Sequence, residues 1–78
     1  MRAKVLKIDK SLFDDEVIKI VIPGEIGELC ILPHHMPIIT PLKKGQIRIF
    51  TTKVDRPTVI NIDGGIFSFS NDVATVMM

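Results

Sequence analysis

The chain has 78 residues, of which 46% are hydrophobic and 24% charged, and its formal net charge at pH 7 is +1. This length and composition predict one small globular domain with a single core and no disordered tail. The near-neutral charge and the lack of Trp and Tyr argue against nucleic acid as a partner, because such binding needs a basic surface and stacking aromatics. No apolar run approaches the roughly 20 residues of a membrane span, so any membrane association is expected to come through partners.

Apolar and polar residues alternate near the start of the chain with the period of two that predicts β-strands. The first predicted strand is Ala3 to Ile8, and a polar break follows it. The second, Glu16 to Pro23, carries valine, lysine and valine on one face and three isoleucines on the other. In so small a protein, such a strand predicts that a loop or another subunit covers its outer face.

Two loops shaped by proline and glycine flank the next predicted strand. The stretch "PGEIG", Pro23 to Gly27, predicts a tight turn, because glycine permits positive φ angles and proline cannot donate to a ladder. The strand "ELCIL" is expected to bury Cys30 as a small hydrophobe, and this lone cysteine fits a reducing compartment. The second loop, His34 to Met36, leads into an extended "PIIT" and is expected at the opposite end of the strand from the first.

The second half of the chain continues the alternation. Ile47 and Ile49 in "QIRIF" are expected to face the core, as are Phe67 and Phe69 in "IFSFS". Turn signals separate the strands: "LKKGQ", the polar connection "TTKVDRP", "DGG", and "ND" before the final "VATVMM". We therefore predict an all-β protein, a small two-sheet β-sandwich of eight to ten short, mainly antiparallel strands that forms a single domain over residues 1–78.

Residues capable of chemistry are few. The serines lack the glycine-flanked turn of a nucleophile and the acids are dispersed, so the chain is not expected to be an enzyme or to hold a cofactor. His34 and His35 invite a metal hypothesis, because imidazole is the commonest metal ligand. Adjacent residues in an extended chain point to opposite sides, however, and no third ligand lies near them in sequence. We favour an interaction module, and the alternative is a free-standing β-domain that binds a metal or small ligand through these histidines.

The longest motif in the chain resembles a known family. The segment "GEIGELCILPHHMPIITPLKKGQIRI", Gly24 to Ile49, is similar to "GxxGELGILPGHAPLLTxLxxGxIRI" of the epsilon subunit of F-type ATP synthases, called delta in mitochondria. The upstream stretch "LFDDEVIKIVIPG" and the downstream stretch "INIDGGIFSFSNDVATVMM" also resemble the family, in the same order and spacing. The resemblance therefore covers nearly the entire chain.

That resemblance implies the β-sandwich domain of a non-catalytic rotor subunit in the central stalk. Such a subunit docks beside the gamma subunit and on the c-ring, and it acts on the remainder of the catalytic sector indirectly. It couples ion-driven rotation to ATP synthesis. The implied location is peripheral, on the cytoplasmic face of the bacterial inner membrane, with no direct membrane insertion.

The resemblance also assigns interface residues by position. The c-ring interface is expected at Ile26, Gly27, Glu28 and His35. The gamma interface is expected at His35, Ile38, Ile39, Thr40 and Leu42.

The chain departs from the family pattern in four ways. Cys30 and His34 stand where glycine is usual, and Met36 replaces a small alanine. The link Asp9 to Ser11 is shorter than the corresponding family segment. Family members usually continue into an α-helical hairpin that carries their inhibitory activity, and we expect the α-helical domain and that activity to be absent here.

Overall fold

The computed structural model describes residues 1–52 and 56–78, so part of the predicted connection "TTKVDRP" lies outside the described residues. The strands in this part of the chain are β1 (Arg2–Lys7), β2 (Lys10–Glu16), β3 (Lys19–Gly24), β4 (Gly27–Ile31), β5 (Ile38–Leu42), β6 (Gly45–Phe50), β7 (Thr58–Ile62), β8 (Gly65–Ser70) and β9 (Val73–Met77). These nine short strands confirm the all-β prediction.

The strands form one continuous sheet that curls into two layers. The first layer has the order β2-β1-β9-β8-β5, and the second contains β4, β3, β6 and β7. Only the β1–β9 pair is parallel among the pairings of the described strands. The layers join where Gly24 of β3 pairs with Leu42 of β5, and there the Lys43 amide donates a hydrogen bond of 3.0 Å to the Pro23 carbonyl oxygen.

The core lies between the layers and is filled by alternate residues of each strand. Ile47 and Ile49 of β6 are fully buried, as is Phe67 of β8, while Phe69 is 2% exposed. These inward assignments were predicted from the period of two and are confirmed. Burying a large apolar side chain contributes about 1.5–3 kcal/mol, so this alternation supplies most of the driving force for folding.

The predicted strand Glu16 to Pro23 begins later than expected, at Lys19. On its outer face Val21 is already buried beside the neighbouring strands β4 and β6, and cover of this strand by another subunit stays a prediction. Val21 pairs with Cys30 of β4 and Arg48 of β6, and it is only 7% exposed. Arg48 Nη2 lies 3.0 Å from Glu28 Oε1, so this ion pair crosses β3 from one neighbour to the other. The apolar stem of an arginine covers surface in this way while its charged end stays in water.

One strand was missed, and one expectation about burial was wrong. Strand β2 was not predicted, because its acidic end, Asp14 to Glu16, conceals a strand that pairs along β1. Cys30 is exposed rather than buried. The run "ELCIL" is apolar at four consecutive positions, so either face could be the inner one, and the pairing of β4 with β3 turns Leu29 and Ile31 inward.

Candidate docking surfaces

The predicted c-ring residues lie at two opposite ends of β4, as the strand length led us to expect. Residues 25–26 connect β3 to β4, and with the Gly24–Gly27 pair that closes this turn they form what we call the hairpin end. Residues 32–37 form the β4–β5 loop, which we call the histidine end. An extended strand of five residues spans about 17 Å between them. Ile26, Gly27 and Glu28 therefore do not share one patch with His35.

The hairpin end is a tight turn with an exposed isoleucine at its tip. Gly24 pairs with Gly27, and a Cβ on Gly24 would lie 2.6 Å from the Gly27 carbonyl oxygen, so only glycine fits. The Glu25 amide donates a hydrogen bond of 3.2 Å to the Pro41 carbonyl oxygen of β5. Ile26 is 98% exposed and buries almost nothing within the chain. The turn thus holds an apolar side chain out on a fixed backbone.

Glu28 follows this turn and is also largely exposed, at 63% of its side chain. Its partner Arg48 comes from β6, on the other side of β3, and the register of the sheet places both side chains on the outer face. An exposed pair of this kind contributes only about 0.2–1 kcal/mol to stability. The carboxylate is therefore held in place yet remains accessible to a partner.

At the histidine end, His34 adopts the left-handed conformation, with φ 65°. This explains the glycine usual at its position in the family, because glycine takes that conformation without steric cost. The His34 amide donates a hydrogen bond of 2.9 Å to Oδ1 of Asp72, in the β8–β9 turn. That hydrogen bond lowers the pKa of Asp72 below its ordinary 3.8, with smaller contributions from the terminal amino group and the His34 ring.

His35 is fixed separately from His34. Its ring makes an edge contact with Phe69, with centroids 6.0 Å apart and planes at 88°. Its Nδ1 lies 2.6 Å from the Met36 carbonyl oxygen, to which a protonated nitrogen donates. The His34 Nδ1 instead lies 4.0 Å from Asp72 Oδ1. The two histidine rings therefore have different partners.

The predicted gamma residues on β5 alternate between the two faces of the strand. Ile39 is 77% exposed, whereas Leu42 is 6% exposed and belongs to the core. Ile38 and Thr40 are half-buried on the inner face. Ile39 can therefore offer its side chain to a partner, while Leu42 supports the strand from inside.

Sequence reasoning missed an apolar surface on the outer face of the first layer. The register places Pro41 opposite Ile66, Ile66 opposite Met77, and Met77 opposite Leu6, so these side chains form a row across four strands. Ile39 flanks that row on β5, and Ile66 and Met77 are 48% and 59% exposed. We call Leu6, Ile39, Pro41, Ile66 and Met77 the apolar band. Apart from Ile39, each residue looked like an isolated surface hydrophobe in sequence, because only the strand order brings them together.

A cavity of about 550 Å³ links the band to the histidine end. It is open to solvent and lined by Pro37, Ile38, Ile39, Ser68, Phe69 and Ser70. Phe69 also carries the His35 ring, so the loop and the exposed face of β5 adjoin at this cavity.

Across residues 1–52 and 56–78, no group of three or more His, Cys, Asp or Glu side chains could hold a metal ion. In the part of the chain that the structure covers, no helix has the length and apolar character needed to cross a bilayer.

Comparisons with known proteins agree on one family. Residues 1–78 match the family described as "ATP synthase, Delta/Epsilon chain, beta-sandwich domain". An ATP synthase epsilon chain of Janthinobacterium sp. is 36% identical over 77 residues, which cover 99% of this chain and 55% of that protein. One from Dichelobacter nodosus is 38% identical over 74 residues, covering 94% of this chain and 50% of that one.

A solved structure gives the same fold. A chain in the mitochondrial ATP synthase of Euglena gracilis, described as OSCP/F1/c-ring, superposes with a TM-score of 0.89 at 19% identity, over 97% of this chain and 48% of that chain. The chain thus spans about half the length of the proteins it matches. The match over residues 1–78 places the chain in the ATP synthase delta/epsilon β-sandwich domain family.

Proposed function

We propose that the chain is a central-stalk rotor subunit of an F-type ATP synthase. It docks beside gamma and on the c-ring, conveys ion-driven rotation to the catalytic sector and catalyses nothing itself. The family match over residues 1–78 supports this assignment. The structural observation that carries it is the apolar band, a contiguous exposed surface on a small domain, which is the usual mark of a protein interface.

The gamma contact uses the band together with the histidine end. Cross-strand neighbours lie about 4.5–5.5 Å apart, so Pro41, Ile66 and Met77 cover an unbroken surface. The cavity beside Ile39 continues this surface to His35. A stable interface needs roughly 800 Å² per partner, which is about a sixth of the total accessible surface of 5032 Å².

The c-ring contact uses the hairpin end. Ile26 supplies an apolar tip and Gly27 the backbone shape. Glu28 supplies a carboxylate that can accept hydrogen bonds from polar groups of the c-ring. His35 lies beyond the other end of β4, so we assign it to gamma alone.

The location follows from the complex. The epsilon chains that the sequence matches are bacterial proteins, so we propose peripheral attachment on the cytoplasmic face of the bacterial inner membrane. Attachment is through gamma and the c-ring, and the role requires no cofactor.

The experiment is to measure binding to the cognate gamma subunit by calorimetry, with matched variants. Ile66 and Val59 are almost equally exposed, at 48% and 46%, but Val59 pairs with Arg48 on the outer face of the second layer. Ile66→Asp should weaken binding about tenfold or more, because it places a charge within the buried interface. Val59→Asp should leave the affinity within about twofold. Equal losses in both variants, or no binding by the unmodified chain at micromolar concentration, contradict the proposal.

A further inference from the structure

Backbone strain in this protein is concentrated in two loops that touch each other. Among residues 1–52 and 56–78, the non-glycine residues with positive φ are His34, Asn71 and Asp72, with angles of 65°, 50° and 61°. Side-chain-bearing residues adopt this conformation at a steric cost, and such residues persist where surrounding contacts hold them. His34 lies in the β4–β5 loop, at the histidine end, and Asn71 and Asp72 form the β8–β9 turn beside it.

Asp72 joins these loops. Its Oδ1 accepts the His34 amide at 2.9 Å, although the two residues are 38 positions apart in sequence. Its own carbonyl oxygen accepts the Arg2 amide at 3.1 Å, and its Oδ2 lies 3.6 Å from the Met1 amino group. Asp72 is thus anchored to Met1 and Arg2 by its Oδ2 and its backbone carbonyl oxygen, and it directs Oδ1 at the loop.

The β4–β5 loop depends on a hydrogen bond from outside its own residues. Residues 32–37 have no strand pairing, and the His35 amide donates within the loop, to the Leu32 carbonyl oxygen at 3.3 Å. The two prolines, Pro33 and Pro37, have no amide hydrogen to donate. The His34 amide is therefore the backbone donor by which Asp72 can hold the loop against the first layer.

We infer that Asp72 is a positioning residue, which fixes residues 32–37 in the conformation that presents His35 and Met36 to gamma. This inference rests on the proposed function. Holding a loop in its bound conformation before docking removes part of the ordering cost of association. Loss of the anchor should therefore weaken gamma binding without unfolding the sandwich.

The test is a pair of substitutions at position 72. Asp72→Gly removes the carboxylate but keeps the left-handed backbone, and it creates the Asn-Gly pair that is favoured in two-residue hairpin turns. Asp72→Asn keeps an acceptor oxygen and tolerates the same backbone. We expect Asp72→Gly to raise the Kd for gamma about 3- to 10-fold and to speed His34 amide exchange, with Asp72→Asn close to the unmodified chain.

The readouts separate a positioning role from a general structural one. Exchange of the core amides of Phe67 and Val76 should be unchanged in both variants. Unchanged gamma affinity in Asp72→Gly, or a uniform loss of protection that reaches these core amides, overturns the inference. If the unmodified chain fails to bind gamma, the proposed function fails, and His34 exchange then decides separately whether Asp72 fixes the loop.

Discussion

The hairpin end and the histidine end present the proposed interface residues on backbones of very different origin. At the hairpin end, Gly24 and Gly27 close a turn whose shape follows mainly from a few neighbouring residues, with one hydrogen bond from the Glu25 amide to Pro41 of β5. At the histidine end, the loop takes its shape from Asp72 and Phe69, which lie more than 30 positions further along the chain. A local turn tolerates changes elsewhere in the fold, whereas the loop depends on the first layer. The two ends should therefore respond differently to substitution.

The largest expected effect is at the residue that supports the histidine end from the core. Phe69→Ala should lower the free energy of unfolding by about 3–5 kcal/mol, because it leaves a cavity where a buried ring stood. His35→Ala, which removes the other half of the ring contact, should cost about 1 kcal/mol or less. Urea unfolding measures the loss of stability in both variants. Equal losses would contradict the claim that burial of the Phe69 ring in the core makes its substitution the more costly.

At the hairpin end, Gly24→Ala should cost about 2–3 kcal/mol, because the new Cβ would collide with the Gly27 carbonyl oxygen. Gly27→Ala is the matched control, since its Cβ would meet no atom within 4 Å and only its φ of 150° is unfavourable. It should lose less stability in the same urea experiment. A larger loss for Gly27→Ala contradicts the steric account of the turn.

A smaller effect of opposite sign is expected for His34→Gly. Glycine accepts the left-handed backbone that His34 adopts at a cost, and the amide donor to Asp72 is kept. The net gain should be about 0.5–1 kcal/mol, after allowing for the greater freedom of glycine in the unfolded chain. Thermal unfolding of the two proteins tests this, and a lower Tm for His34→Gly contradicts it.

The smallest effect is a pH dependence from Asp72. The hydrogen bond from the His34 amide lowers the pKa of this carboxyl in the folded chain, so its stabilising contribution is present above the ordinary value of 3.8. It is lost as the pH falls through the lower folded pKa. In Asp72→Asn the fall in urea midpoint between pH 5 and pH 2 should be slightly smaller than in the unmodified chain. A steeper fall in Asp72→Asn contradicts the sign of this shift.

Sequence reasoning succeeded where alternation is unambiguous and failed where two faces compete. "QIRIF" and "IFSFS" each offer one apolar face, so the inward residues could be assigned correctly. "ELCIL" offers two, and Cys30 was placed inside although it is exposed. The acidic end of β2 concealed a strand because local propensity opposes what its pairing with β1 stabilises.

The candidate site shows the same division. The sequence alone determined the all-β class, the glycine turn that presents Ile26 and the family to which the interface residues belong, since each depends on residues close together in the chain. Only the tertiary structure decided that Leu42 is buried and that Leu6, Ile66 and Met77 form one surface with Ile39. Strand order and register create these neighbourhoods, and they arise from pairings between distant segments that no local pattern encodes.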